Sequence, residues 1–172
     1  MKKYFKISEK EIFPIGLVLL LAFSRIIPHP PNFTPIIAAA ILSGYFFKNL
    51  YFSFLVLIAS MVIADFFIGF YDNMFVVYAS LMLIAFVFYR VGSKLNYKNL
   101  FLFSLFGSLI FFVITNFGVW ALGNLYEKNL KGLIDCYILA IPFFGNTFLS
   151  TLIFAYPSIF IYKSLPAWSG SR

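Results

Sequence analysis

Cysteine and histidine are almost missing from this chain, which carries one of each, Cys136 and His29. A single thiol cannot form an intramolecular disulfide, and no His/Cys cluster has the spacing of a metal site. HExxH and GxSxG are absent, and no Ser/His/Asp set stands in a recognisable context. No glycine-rich phosphate loop is present either, so any ATP hydrolysis would have to come from partner subunits. The sequence therefore gives no reason to expect an enzyme, a bound metal or a cofactor.

Charge is scarce as well: 11% of residues are charged, against roughly 25% in average soluble chains. With 62% hydrophobic residues and 25 Phe, the composition excludes an ordinary soluble globule. In lipid every backbone N–H and C=O must be paired within helices or a closed barrel. Long apolar runs without period-two alternation favour helices. The net charge of +7 does not point to nucleic acid, because the basic residues are scattered in ones and twos between apolar runs.

The expected fold is an all-α polytopic membrane bundle of about six transmembrane helices, a single domain over residues 1–172. Breaks at Pro, Asn and charge clusters place the spans near Ile12–Ile27, Pro35–Phe47, Leu50–Phe67, Met74–Tyr89, Leu100–Leu122 and Gly145–Tyr162. Residues 1–11 form a basic N-terminal segment and 164–172 a short tail. The first span is read as retained, because Arg25 and a proline cluster follow it instead of a small-residue cleavage site. A crossing helix needs about 20 residues, so the second span is short enough to be half of a re-entrant hairpin. That alternative would bury Lys48 in the membrane, whereas six crossings put ten of the 13 basic residues on one side. The positive-inside rule then places both termini in the cytoplasm and the protein in the inner (plasma) membrane.

The polar residues left over converge on the opposite face. The loop Arg25 to Thr34 is stiffened by prolines and carries Arg25, His29 and Asn32. Asp65 ends an apolar run, so it must reach the interface, pair with a cation or cap a backbone end. The stretch Thr115 to Asn146 sets Asn116, Trp120, Glu127, Asp135, Tyr137 and Asn146 between apolar runs. Asn116 and Trp120 lie one turn apart and can share a helical face, an amide beside an indole, which suits a flat heteroaromatic ligand. An interfacial aromatic belt is the ordinary use of Trp120 and Tyr126. Leu133 to Phe143, ended by Pro142, is too short to cross and reads as an outer segment that could cover a pocket. The candidate binding residues are Asn32, Asp65, Asn116, Trp120, Tyr137 and Asn146, with Tyr137 on the lid.

Small residues recur at helical spacing in Ala39/Ser43, Ala40/Gly44, Ser60/Ala64 and Ser104/Ser108. Such pairs let helices approach closely, either within the bundle or where the second span meets another subunit.

Three stretches carry a family resemblance: PNFTPIIAAAILSGYFF (Pro31 to Phe47), ADFFIGF (Ala64 to Phe70), and NFGVW with CYILAIPFFGN (Asn116 to Trp120, Cys136 to Asn146). The first two resemble the substrate-binding S components of energy-coupling factor vitamin transporters. The last is similar to a group of uncharacterised bacterial membrane proteins. The resemblance implies capture of a vitamin or similar micronutrient in an outward-facing pocket. It further implies partners in a transmembrane coupling subunit and two ATPases, with Ala40 and Gly44 provisionally at the docking surface. The rival reading is a structural or assembly subunit of a larger membrane complex. A metal enzyme using Asp65, Asp72, Glu127 and Asp135 is a third, without support from spacing.

Overall fold

The computed structural model describes residues 9–164; the basic residues Lys2, Lys3 and Lys6 and nearly all of the short tail lie outside that range. Among the described residues the chain is all helical. Six α-helices follow one another as α1 (Glu9–Phe23), α2 (Ile36–Phe46), α3 (Leu50–Ile68), α4 (Met74–Val91), α5 (Leu100–Leu122) and α6 (Leu130–Ser164). Short 3₁₀ turns follow α1 and α4. Four of these helices, α3 to α6, are long and apolar enough to cross a membrane by length and composition.

The centre of the bundle is its shortest helix. Ten of the eleven residues of α2 are buried, and α2 touches each of the other five helices. Its sequence, IIAAAILSGYF, is apolar all round, as an enclosed helix requires. Small side chains let its neighbours come close. A Cβ on Gly44 would meet the Ala85 carbonyl oxygen, and it would lie 2.8 Å from the Tyr89 amide nitrogen. Nearer the start of α2, Ile37 and Ile41 pack against Gly107 of α5.

This packing corrects one expectation. Ala40 has no exposed surface and Gly44 is buried, so the small-residue face of α2 packs within this chain. Ser43 fixes the turn that follows, its hydroxyl 2.8 Å from the Ser53 carbonyl and 2.9 Å from the Ser53 hydroxyl. Asn49 then caps α3 by accepting from the Phe52 amide.

The sequence expectation also divided the C-terminal part wrongly. Residues Leu130–Ser164 form one helix of 35 residues that runs through Pro142 and Pro157. The segment Leu133 to Phe143 is thus its first half and no separate lid. Proline removes one amide donor, but packed membrane helices tolerate it when nearby hydroxyls re-engage the backbone. Near these prolines Thr147 donates to the Phe143 carbonyl and Ser158 to the Phe154 carbonyl.

The loop before α2 is tied to the middle of α6. Asn146 Nδ2 donates to the Pro31 carbonyl (2.9 Å), Thr147 Oγ1 to that of Asn32 (3.4 Å), and Ser150 Oγ to that of Thr34 (2.9 Å). Those three donors sit roughly 24–30 Å from the start of α6, at about 1.5 Å per residue. The eleven-residue α2 spans roughly 16 Å, about half of a ~30 Å hydrocarbon core. It fills one half of the bundle and leaves the other half to the loop and to α4, α5 and α6.

Glycine at the α2–α4 contact gives a direct test of this arrangement. Gly44→Ala should destabilise the protein by about 1–3 kcal/mol, the usual range for an overpacked core. Gly16→Ala, where a Cβ meets nothing within 4 Å, should be neutral or stabilise by up to about 1 kcal/mol. Unfolding midpoints of both variants in one detergent would decide, and equal midpoints would contradict the close approach.

Candidate functional site

Two polar assemblies occupy the half of the bundle that α2 leaves free. The first is an ion pair. Asp65, near the end of α3, has no exposed side-chain surface, and Arg25 is only 10% exposed. Arg25 Nη1 lies 2.6 Å from Asp65 Oδ1 as a charge contact, not an aligned hydrogen bond. The other carboxylate oxygen accepts from the Tyr78 hydroxyl of α4 at 2.6 Å. Arg25 also points a nitrogen at the Met61 sulfur, 3.7 Å away.

These contacts join the end of α1 to α3 and α4. Tyr71, in the loop between α3 and α4, stands beside the pair. Burial pushes its phenol above the usual value, the Asp65 charge adds to that, and Arg25 opposes it. That loop turns on Gly69, at φ 107°, and on Asn73, at φ 60°. Glycine serves the first position because a Cβ disfavours it.

The second assembly is a cleft of about 190 Å³. It is lined by Asn32 from the loop, Val77 from α4, Phe111, Phe112, Thr115, Asn116 and Val119 from α5, and Ala140, Phe143 and Phe144 from α6. Asn32 takes φ 59°, a left-handed conformation that asparagine tolerates better than most residues. Asn116 Nδ2 donates to the Phe112 carbonyl (2.8 Å), and Thr115 Oγ1 to that of Phe111 (2.7 Å). Phe112 packs edge-on against Phe144, with ring centroids 5.3 Å apart. Val77 and Tyr78 are consecutive on α4, so one lines the cleft while the next holds Asp65.

Of the six candidate binding residues, the structure brings only Asn32 and Asn116 together on this cleft. Asp65 is placed in the ion pair instead, because a buried carboxylate takes the nearest cation and donor. Trp120 caps the far end of α5: its indole N–H donates to the Glu127 carbonyl at 3.0 Å. The Lys128 ammonium lies 5.9 Å from that ring and bonds the carbonyls of Trp120 and Gly123, the position a cation favours at a helix C-terminus. Tyr137 is no lid residue. Its hydroxyl donates to the Val113 carbonyl and its ring packs on Phe112, which locks α6 to α5. Asn146 holds the loop backbone and does not line the cleft.

Cleft residues that the sequence reading passed over follow a helical pattern around Asn116. Positions 111, 112, 115, 116 and 119 share one face of α5, and 140, 143 and 144 share one face of α6. Extending the face of Asn116 backwards would have found the first set; extending it forwards led to Trp120.

The chain belongs to the DUF6580 family, a family of unknown function. The match to that family's model covers residues 5–165, nearly the whole chain. No curated protein and no solved structure matches it. The DUF6580 match therefore attaches no activity to the cleft or the ion pair.

The ion pair predicts a specific pattern of stabilities. Arg25→Gln or Asp65→Asn alone should cost about 3–5 kcal/mol, since each disrupts a buried pair. The double variant Arg25→Met/Asp65→Leu should recover most of that loss. Unfolding of the four proteins in one detergent would test this, and strictly additive single losses would refute the pairing.

Proposed function

We propose that this chain is a membrane solute-binding protein that takes a small molecule into the cleft between Asn32 and Asn116 for uptake. The carrying observation is that cleft: two carboxamides from distant parts of an apolar chain meet in one cleft, walled by phenylalanines. Polar side chains inside a membrane bundle mark substrate paths by default. The stretch Pro31 to Phe47, similar to energy-coupling factor S components, includes Asn32, and Asn116 with the cleft-lining segment of α6 lies in the stretch similar to uncharacterised bacterial membrane proteins. That similarity supports uptake with a coupling subunit and ATPases as partners. Because Ala40 and Gly44 are enclosed, a coupling subunit would meet an outward helix face instead of α2.

In this reading the chain passes the membrane six times, with α2 and the loop before it making the second passage. Basic residues gather at one end of the bundle. Lys48 carries the carbonyl bonded by Tyr89, next to Arg90, and Lys163 lies over the Tyr97 ring at 4.9 Å, close to Lys94 and Lys98. That end faces the cytoplasm of a plasma membrane, and the cleft lies toward the outside.

Two measurements test the proposal. Cys136 is buried against α5, so topology must be read in a Cys136→Ser background. There an impermeant maleimide should label Lys128→Cys from outside and Lys94→Cys only after the membrane is opened; the reverse pattern would overturn the orientation. For binding, native mass spectrometry of the gently solubilised protein should show a retained small molecule. Asn116→Leu should lose it while Trp120→Phe keeps it. Retention by both variants would remove the cleft as the site.

A further inference from the structure

The lining of the cleft carries a property that its shape does not. None of its ten residues bears a charge: it has two carboxamides, one hydroxyl, four phenyl rings and three aliphatic side chains. Three charged side chains outside the cleft are engaged elsewhere. Arg25 and Asp65 neutralise each other, and Lys128 is bonded to the end of α5. An ion entering such a site would lose its hydration and find no countercharge, a cost of several kcal/mol even after relaxation. A neutral polar molecule needs only matching hydrogen bonds.

A carboxamide offers one acceptor and a two-proton donor side by side, the complement of an amide or lactam edge. Thr115 adds a hydroxyl whose proton is given to the Phe111 carbonyl and whose oxygen can still accept. Phe111, Phe112, Phe143 and Phe144 surround these groups with ring faces and edges, which favour a planar π-system. At about 190 Å³ the cleft is smaller than the ~300–1,000 Å³ typical of sites for drug-sized ligands. That size suits one ring or a fused pair and leaves no room for a nucleotide.

Resting on the solute-binding reading above, we infer that the ligand is an uncharged planar nitrogen heterocycle of one or two rings, carrying an amide or lactam edge. Carboxylates, phosphate esters and quaternary cations are rejected by the charge-free wall. Free bases and ring carboxamides enter; their phosphorylated or carboxylated relatives do not.

The test uses three probes with one ring and three charges: nicotinamide (neutral), nicotinate (anionic) and 1-methylnicotinamide (cationic). A two-ring pair, pterin and pterin-6-carboxylate, is added, all titrated onto the purified full chain in lipid nanodiscs at pH 7. At least one neutral probe should bind, with its charged relatives weaker by tenfold or more. Asn116→Asp places a carboxylate in the cleft and should reverse the order of nicotinamide and 1-methylnicotinamide. That gain of binding would not come from a misfolded variant. Charged probes that bind the native chain as tightly as neutral ones, and lose affinity in Asn116→Leu, would overturn the charge rule while leaving a solute site. Absence of binding by every probe, together with no retained molecule in native mass spectrometry, would overturn both.

Discussion

Asp65 is a carboxylate with no solvent-exposed surface in a bundle made for lipid, and it is tolerated because Arg25 and Tyr78 reach its two oxygens. Desolvating an ion costs several kcal/mol, and only close partners offset that. The pair therefore fixes where α1 must end relative to α3 and α4. Everything C-terminal to it inherits that position: the proline loop leaves Arg25 at a set place and can only turn inward. Replacing the pair with well-packed apolar side chains need not harm stability, so its contribution is better understood as register than as strength.

The same loop is held at its other end by backbone acceptors. Pro31, Asn32 and Thr34 offer carbonyls that no strand or helix uses, and α6 supplies one amide and two hydroxyls to meet them. Irregular backbone of this kind is tolerated where its polar groups are paired. Because both ends are fixed, α2 begins halfway through the bundle and needs only eleven residues. The left-handed turn at Asn32 then points the loop along the cleft wall.

Much of the fold could be read from the sequence because hydropathy and helix breakers act locally. The second, third and fifth spans agree with α2, α3 and α5 to within a residue or so at each end. Pro142 misled because proline breaks isolated helices, whereas here a helix packed along α5 carries it. The direction of the small-residue face of α2 could not be read either, since Gly44 looks the same facing a neighbour or a partner. At the site, Asp65 was recognised as needing a partner, but which cation met it depends on how α1 ends. Asn116 stood out as an amide in an apolar run. Its neighbours on the cleft did not, because Phe111, Phe112, Phe143 and Phe144 are unremarkable in a chain with 25 Phe.

The ion pair and the cleft stand in an informative contrast, separated by one step along α4 from Tyr78 to Val77. Arg25 and Asp65 are matched to each other, and the cleft is lined only by groups that stay neutral at all ordinary pH. A site meant for an anion would leave Arg25 unpaired and turned inward, since an unpaired cation near the membrane edge is an inexpensive way to hold a carboxylate or phosphate. Here Asp65 takes that cation, and Tyr78 occupies the remaining oxygen. Both charges are engaged outside the cleft, and under the proposed solute-binding reading selectivity falls to the carboxamides of Asn32 and Asn116 and to the rings around them. Discrimination in such a site comes from refusing to hydrate an ion, which needs no dedicated repulsive residue.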